Sequence, residues 1–307
     1  MKKHNSYSSL IPGFARGCLL IILCSGFGNL MAQDTTGKKA TVAADTTAKV
    51  PVIKKKSYVK STFEGNLLIN DQTVMVPIKG TFEFDFQHRF GLITNGIKDM
   101  YGLYGGATIR LGFSYVPIKN LQIGFGSISN PMQVEFNAKY SIFRQTKDNS
   151  MPVSVTWFSN AVIDTRSKDN FVSSGDRFSY FHQLIIARKI SDKLSIQVAP
   201  NISHFNNIPG YFATDGSVQP MMKNNHIAIA FTGRYKVSSS MGIVVNYDQP
   251  LTQHPMNNPH PNISFGLDIV TSAHSFQVFL GNYSSIVPQR NNYFNQNDYS
   301  RSIRDWL

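Results

Sequence analysis

The chain has 307 residues, of which 42% are hydrophobic, and it carries a formal net charge of +12. Seven of those charges lie within residues 1–57, so the rest of the chain is only mildly basic and nucleic acid is not predicted as a partner. The two cysteines, Cys18 and Cys24, also lie in that part, which excludes thiol catalysis and thiolate metal sites from the remaining residues.

Residues 1–32 have the organisation of a secretory signal peptide. Two lysines and one arginine precede an apolar run within residues 17–27, and Ala32 offers a small residue for cleavage. The run is too short for a transmembrane helix, which needs about 20 apolar residues. Lipidation of Cys24 is a weaker alternative, because Leu23 stands where a small residue is expected. The chain is therefore predicted to be exported.

Residues 33–57 are predicted to form a flexible, disordered leader on the periplasmic side of an outer membrane. They are rich in Thr, Ala and Lys and contain no aromatic residue, so they cannot form a packed core. The lysines at positions 54–56 leave one alternative open, which is binding to an anionic surface. Residues 58–307 form the third predicted unit.

Apolar and polar residues alternate through most of that third unit. In Thr108–Tyr115 the odd-numbered side chains are apolar or aromatic, and the even-numbered ones are polar or glycine. A period of two predicts a β-strand with unlike faces. The eleven predicted strands are Lys79–Phe90, Tyr104–Val116, Lys119–Gly126, Met132–Gln145, Pro152–Asp164, Arg177–Ser191, Lys193–Ser203, Asn225–Val237, Ser240–Gln249, Pro261–Thr271 and Ala273–Tyr283.

The connections between these strands alternate between tight turns and long polar loops. The tight turns are Val116 to Lys119, Ser191 to Lys193, Val237 to Ser240 and Thr271 to Ala273. The long loops are Gly91–Leu103, Asp164–Arg177, Asn206–Asn224 and Pro250–His260. Short turns at one end and long loops at the other are typical of outer-membrane barrels.

The number of predicted strands is odd, whereas bacterial single-chain barrels have even numbers. Tyr58–Ile69 is the first ordered segment and either supplies a twelfth strand or lies in the barrel mouth. Otherwise the missing strand lies beyond Leu307, because Asn291–Leu307 is polar and does not end as an amphipathic strand. We expect a longer reading frame to encode roughly ten more residues of alternating pattern.

These features together predict an all-β fold, an antiparallel transmembrane β-barrel of about 12 strands in the outer membrane of a Gram-negative bacterium. The 22 Phe and 13 Tyr residues can supply an apolar belt and interfacial girdles in contact with outer-membrane lipid. The alternative is a soluble β-protein whose core contains these aromatic residues.

Several stretches resemble an uncharacterised family of outer-membrane β-barrel proteins from Bacteroidetes, catalogued as a domain of unknown function. The resemblance covers about residues 58–285. The stretches that carry it are Phe86–Gly91, Ala107–Gly112, Gln183–Lys189, Gly266–Thr271 and Ala273–Gln277. It implies an outer-membrane barrel and no established activity, and it also implies one more amphipathic strand than this chain shows.

Charged residues at alternate strand positions are predicted to face the lumen, because a charge that faces hydrocarbon at the membrane midplane costs about 2–4 kcal/mol. The lumen candidates are Glu83, Asp85, Arg89, Arg110, Glu135, Lys139, His182, Arg188 and Arg234. They are interpreted either as a structural ion-pair network or as a constriction that selects solutes by charge.

The leading functional hypothesis is a small channel or transport-associated barrel for an unknown solute. The alternative is a plugged barrel that acts as a scaffold or binds an envelope protein, and the third is an outer-membrane lipid hydrolase. No GxSxG motif is present, so no catalytic residue is assigned. His254 and His260 lack a carboxylate partner, so no metal and no cofactor is predicted.

Overall fold

A computed structural model describes residues 56–299. The predicted signal peptide and nearly all of the predicted leader lie outside the described residues, as do residues 300–307. Among the described residues, no helix has the length and apolar character needed to cross a membrane.

β-strands dominate the described region. The strands are β1 (Leu67–Leu68), β2 (Asp71–Gln72), β3 (Phe82–Arg89), β4 (Thr108–Ile118), β5 (Leu121–Ile128), β6 (Gln133–Phe143), β7 (Ser154–Asp164), β8 (Phe178–Lys189), β9 (Leu194–Phe205), β10 (Gly210–Phe212), β11 (Val218–Pro220), β12 (Asn225–Lys236), β13 (Met241–Pro250), β14 (Asn262–Val270) and β15 (Ser275–Gly281). Short 3-10 helices span Ile93–Asp99, Lys168–Asn170 and Ser174–Arg177, and helix α1 spans Pro288–Phe294.

Eleven of these strands form one antiparallel sheet in the order β15-β14-β13-β12-β9-β8-β7-β6-β5-β4-β3. Sheet neighbours follow one another in sequence except at β9 and β12, whose connecting loop contains the β10–β11 hairpin. The eleven predicted strands correspond to these eleven, which confirms the all-β antiparallel prediction. The end strands β3 and β15 do not pair with each other, so the sheet is not closed into a complete barrel.

The side chains of each strand alternate between two environments. On β3, Phe82, Phe84 and Phe86 are 63%, 56% and 59% exposed, whereas Arg89 is only 7% exposed. The outer face of the sheet therefore carries the large apolar side chains, and the inner face carries polar ones. This arrangement suits a barrel whose outer surface contacts acyl chains, because the usual burial of apolar side chains is reversed there.

The two ends of the sheet differ in their connections. One end, called here the long-loop end, carries residues 90–107, 129–132, 165–177, 206–224 and 251–261. The opposite end, the short-turn end, carries residues 119–120, 144–153, 190–193, 237–240 and 271–274. The predicted alternation holds with two exceptions. Residues 129–132 form a short connection at the long-loop end, and residues 144–153 form a long one at the short-turn end.

Residues 61–75, called here the plug, lie against the inner face of the sheet and add no strand to it. The chain reaches them from the short-turn end, where Tyr58 forms an isolated bridge with Thr146. Asn66 hydrogen-bonds Glu83 on β3, while the carbonyl of the next residue, Leu67, accepts from Gln277 on β15. The first and last strands of the sheet therefore meet at the plug, so the sheet curves around it. Tyr58–Ile69 is thus not the twelfth strand.

An apolar cluster anchors the plug to one side of the sheet. Its plug members are Phe63, Leu68, Ile69 and Val74, all at most 5% exposed. The cluster also contains inward side chains of β7, β8, β9, β12 and β13, namely Phe158, Phe181, Ile185, Ala187, Ala199, Ala230 and Val244. Burial of these side chains stabilises the plug by the hydrophobic effect, at about 25 cal/mol for each Å² of apolar surface.

Helix α1 and its flanking residues cover the inner face at the long-loop end. Gln289, Asn291, Asn292 and Tyr293 are all at most 4% exposed. The amide of Asn291 donates to the side chain of Asn70 at 3.2 Å. This hydrogen bond joins α1 to the plug, so the two segments meet within the curved sheet.

Candidate functional site: the occupied lumen

The candidate functional site is the inner surface of the sheet together with the plug that occupies it. Backbone carbonyls of the plug accept hydrogen bonds from side chains on five strands. The donors and acceptors are Lys139 to Asn66 at 3.0 Å, Gln277 to Leu67 at 2.9 Å, Asn246 to Leu68 at 2.6 Å, Gln197 to Gln72 at 2.8 Å and Thr156 to Val74 at 2.9 Å. The inward polar residues therefore replace the water that would otherwise solvate this backbone.

Two further strands bind side chains of the plug. Thr232 on β12 donates to the carboxylate of Asp71 at 2.6 Å. Arg89 on β3 donates to the side chain of Asn70 at 3.0 Å. With these contacts the plug is held from seven strands, which span the sheet from one edge to the other.

Lys139 lies at the centre of the charged part of the inner face. It is 2% exposed and donates to the carbonyls of Asn66 and Met75, at 3.0 and 3.4 Å. Glu83 accepts from Gln122 at 2.8 Å and also binds Asn66. Asn66 is thus bound through its carbonyl by a cation and through its amide by an anion, which fixes this residue of the plug.

Arg110 and Glu135 form a buried ion pair, on strands separated by β5. The guanidinium Nε donates to Glu135 at 3.0 Å. The space for this pair comes from glycine, because a Cβ on Gly126 would lie 2.9 Å from both side chains. A Cβ on Gly112 would meet the same guanidinium. Asp85 lies beside Arg110 on the wall of a small recess.

A second buried ion pair joins β12 and β14. Arg234 Nε donates to Asp268 at 2.7 Å, and Ser275 donates to the other carboxylate oxygen at 3.0 Å. Asp268 is fully buried. Gly242, on the strand between them, provides the room, since a Cβ there would lie 2.9 Å from the guanidinium. Asp268 is not among the lumen candidates predicted from the sequence.

Arg89 occupies the gap between the two end strands. Its guanidinium carbon lies 5.4 Å from the ring centre of Phe279 and 4.9 Å from that of Tyr283. Its Nε and one terminal nitrogen are buried without a hydrogen-bond partner among the described residues. The two aromatic rings stabilise this cation through their π faces, in addition to its hydrogen bond to Asn70.

Two lumen predictions are wrong about the face of the strand. His182 lies on the outer face, where it stacks on the exposed Trp157 and hydrogen-bonds Ser159 at 2.9 Å. Arg188 is an even number of positions further along β8 and therefore lies on the same outer face. Its partner on β9 is Ile196, which is 44% exposed. The physical reason is that inward positions of β8 are apolar where they pack on the plug, so polarity does not mark the inner face there.

The remaining seven candidates, Glu83, Asp85, Arg89, Arg110, Glu135, Lys139 and Arg234, face inward. The structure brings them together only in part, because Arg234 belongs to a separate ion pair. Sequence reasoning missed the uncharged residues that hold the plug: Thr156, Gln197, Thr232, Asn246 and Gln277. The alternation of side chains along each strand could have identified these residues as inward-facing, but it does not show what they bind.

Two histidines at the long-loop end, His226 and His254, are hydrogen-bonded to each other. His254 accepts a hydrogen bond from the backbone N–H of Lys223 at 3.0 Å and shares one with His226 at 2.9 Å. Burial lowers the pKa of the His254 imidazole. Within residues 56–299, no group of three or more His, Cys, Asp or Glu side chains is placed to hold a metal ion.

The family to which the chain belongs agrees with this architecture. A family model described as a membrane bound beta barrel domain (DUF5777) matches residues 63–304. The chain belongs to this family, whose function is unknown. One solved structure, described as the NanC porin in a rhombohedral crystal form, shares 10% identity with a TM-score of 0.42, over 62% of this chain and 86% of that one. No curated protein matches.

Proposed function

We propose that this protein is a plugged outer-membrane barrel that is closed to solutes at rest and acts by binding another envelope protein. The hydrogen bonding of the plug backbone by inward side chains of five strands carries this proposal. The large sheet has 11 strands, and a barrel of that size is narrow enough for side chains to obstruct it. A bound peptide segment obstructs it further.

Both ends of the lumen contribute to the closure. The plug enters from the short-turn end, and α1 covers the inner face at the long-loop end. In outer-membrane barrels short turns face the periplasm. Tyr58, near the start of the described residues, would therefore lie on the periplasmic side, where a periplasmic protein can reach it. Binding there would be communicated to the lumen through the plug itself.

A transport-associated barrel is the second candidate, and one observation favours it. The hydrogen bonds that hold the plug backbone come from side chains, and none of the plug strands joins the large sheet. Such a segment can leave the lumen without breaking the strand ladder. The plug is then a gate, and its release by a partner opens a path for a solute.

The hydrolase hypothesis has less support. Ser159 and His182 are within hydrogen-bond distance, and Trp157 donates to the same hydroxyl at 2.7 Å. These residues lie near the middle of paired strands, whose backbone N–H groups are committed to the ladder. An oxyanion hole needs free N–H donors beside the nucleophile. We propose that the Ser159–His182 pair has a structural role and that the protein is not an enzyme.

Planar-bilayer conductance tests the proposal. The mature chain should give no steady conductance, whereas a variant that lacks residues 61–75 should give open channels. A matched control replaces the exposed loop residues 213–217 with a Gly/Ser linker and should remain closed. Steady conductance of the unmodified chain would contradict a closed barrel. Conductance that appears only after a periplasmic protein is added would favour the gated transporter.

A further inference from the structure

A cavity of about 260 Å³ lies at the long-loop end, apart from the plug contacts. Its walls come from the ends of β6, β7, β8 and β9, the loop 165–177, the residues after Phe205, and α1. Drug-sized ligands occupy cavities of about 300–1,000 Å³, so this one suits a smaller molecule.

Three arginines line the cavity, and two of them are committed to oxygen atoms of the protein. Arg166 binds the carboxylate of Asp164, with its closest contact at 2.7 Å. Arg177 donates to the backbone carbonyls of Asp164 and Arg166, at 2.8 and 2.7 Å, and stacks on Phe171 at 4.5 Å. These two guanidinium groups therefore stabilise the loop that forms this wall of the cavity.

Arg290 on α1 is the third. It is half-buried, and among residues 56–299 its guanidinium has no ion pair and donates no hydrogen bond to an oxygen. Its described contact is with the ring of Phe294 at 5.3 Å. A guanidinium in a recess binds a carboxylate with two parallel hydrogen bonds. The cavity therefore contains one uncommitted site for an anionic group.

Gln133 provides a second, independent indication of a ligand. It lines the same cavity, is only 3% exposed, and its Oε1 is buried without a hydrogen-bond partner in the described chain. A buried acceptor without a partner costs about 1–3 kcal/mol, and a bound O–H or N–H group removes that cost. The ligand should thus carry a donor as well as an anion.

The charges also select among anions. Asp164 and Asp176 line the cavity, and the Asp176 carboxylate accepts from the backbone N–H of Ser173 at 2.8 Å. Two carboxylates beside one uncommitted cation favour a single negative charge over a dianion such as phosphate. Phe171, Phe178, Phe205 and Phe294 provide apolar wall for the carbon part of the ligand.

We propose that this cavity binds a small monocarboxylate that bears a hydroxyl or N–H group, with its carboxylate on Arg290 and its donor on Gln133 Oε1. The inference does not depend on whether the barrel is closed, since none of the cavity walls belongs to the plug. Because Arg290 lies on α1, a bound ligand also ties α1 to the neighbouring strands.

Saturation-transfer NMR with the full chain in detergent micelles tests this site with four probes. Lactate has the carboxylate and the hydroxyl, propionate lacks the hydroxyl, and lactamide lacks the charge. Inorganic phosphate is the dianionic comparison, and because it has no carbon-bound proton to observe, its binding is measured by the loss of the lactate signal. Lactate should bind saturably. Lactamide, which loses its charged contact with Arg290, should bind about tenfold more weakly or worse, and propionate, which loses one neutral hydrogen bond, about three- to tenfold more weakly. Phosphate should also bind about tenfold more weakly, because the two carboxylates disfavour a dianion. Absence of saturable lactate binding, or equal binding of any other probe, would overturn the proposal.

Variants locate the binding within the molecule. Arg290→Gln should weaken lactate binding about tenfold or more. Lys168→Gln removes one positive charge from an exposed position of loop 165–177 that does not line the cavity, and it should leave lactate binding unchanged. Unchanged binding by Arg290→Gln would refute the site. If that variant does not fold, Gln133→Glu decides the question, since a carboxylate there should repel lactate by a similar factor. Equal lactate affinity in Gln133→Glu and the parent chain would also refute it.

Discussion

Lys139→Met should release the plug from the sheet. The ammonium donates to the carbonyl of Asn66 at 3.0 Å and to that of Met75 at 3.4 Å, and the methionine keeps the length of the side chain without its charge. A hydrogen bond to a charged group contributes about 1.5–3 kcal/mol, and the longer of the two contributes less. We therefore expect the substitution to cost about 2–4 kcal/mol of plug binding. The carboxylate of Glu83 also loses its neighbouring cation, which acts in the same direction.

The population of the released plug follows from that free energy. Each 1.4 kcal/mol is a factor of ten, so the released fraction should rise about 30- to 1,000-fold. A thiol measures it, because Cys18 and Cys24 lie in the predicted signal peptide and the mature chain would contain no other cysteine. Val74→Cys places a single thiol at a plug position that is 4% exposed. Its maleimide labelling rate reports the released fraction when reclosing is faster than labelling.

The control is Lys119→Met, which removes an exposed lysine from a turn at the short-turn end and should leave the labelling rate of Val74→Cys unchanged. A labelling rate in Lys139→Met that stays within about twofold of the parent would refute the reasoning. It would mean that the apolar cluster around Val74 holds the plug without help from the charged contacts.

Three further outcomes are expected. Arg234→Gln should lower the free energy of unfolding in urea by about 3–5 kcal/mol, because it leaves the fully buried Asp268 without its cation, and a loss below about 1 kcal/mol would contradict this. Gly126→Val should cost about 1–3 kcal/mol in the same assay by displacing Arg110, and an unchanged unfolding midpoint would show that the arginine has other room. Burial lowers the pKa of His254, so its contribution to stability is complete above about pH 6.5 and is lost as the pH falls toward the folded pKa. His254→Gln should therefore reduce the change in the urea unfolding midpoint between pH 7 and pH 5. An equal change in both proteins would show that His254 is not the source of the pH dependence.

Strand parity could be predicted wherever the inner face of the sheet is polar. On β3 the exposed phenylalanines alternate with inward charges, because lipid on one side and polar groups on the other impose a period of two. On β8 the same reasoning fails, since Ile185 faces inward and belongs to the apolar cluster that anchors the plug. His182 was therefore placed on the wrong face. A strand that is apolar on both faces does not reveal its orientation.

The sequence by itself determined the class of the fold, because alternation over eleven stretches depends only on the polarity of successive side chains. It also identified Lys139 and Arg110 as inward charges. Tertiary structure alone decided what Lys139 binds, because its two acceptor carbonyls in the plug lie more than sixty residues away along the chain. The place of Tyr58–Ile69 depended on those distant contacts in the same way. A short segment of mixed apolar and polar residues has no pattern of its own that distinguishes a strand of a sheet from a peptide enclosed by that sheet.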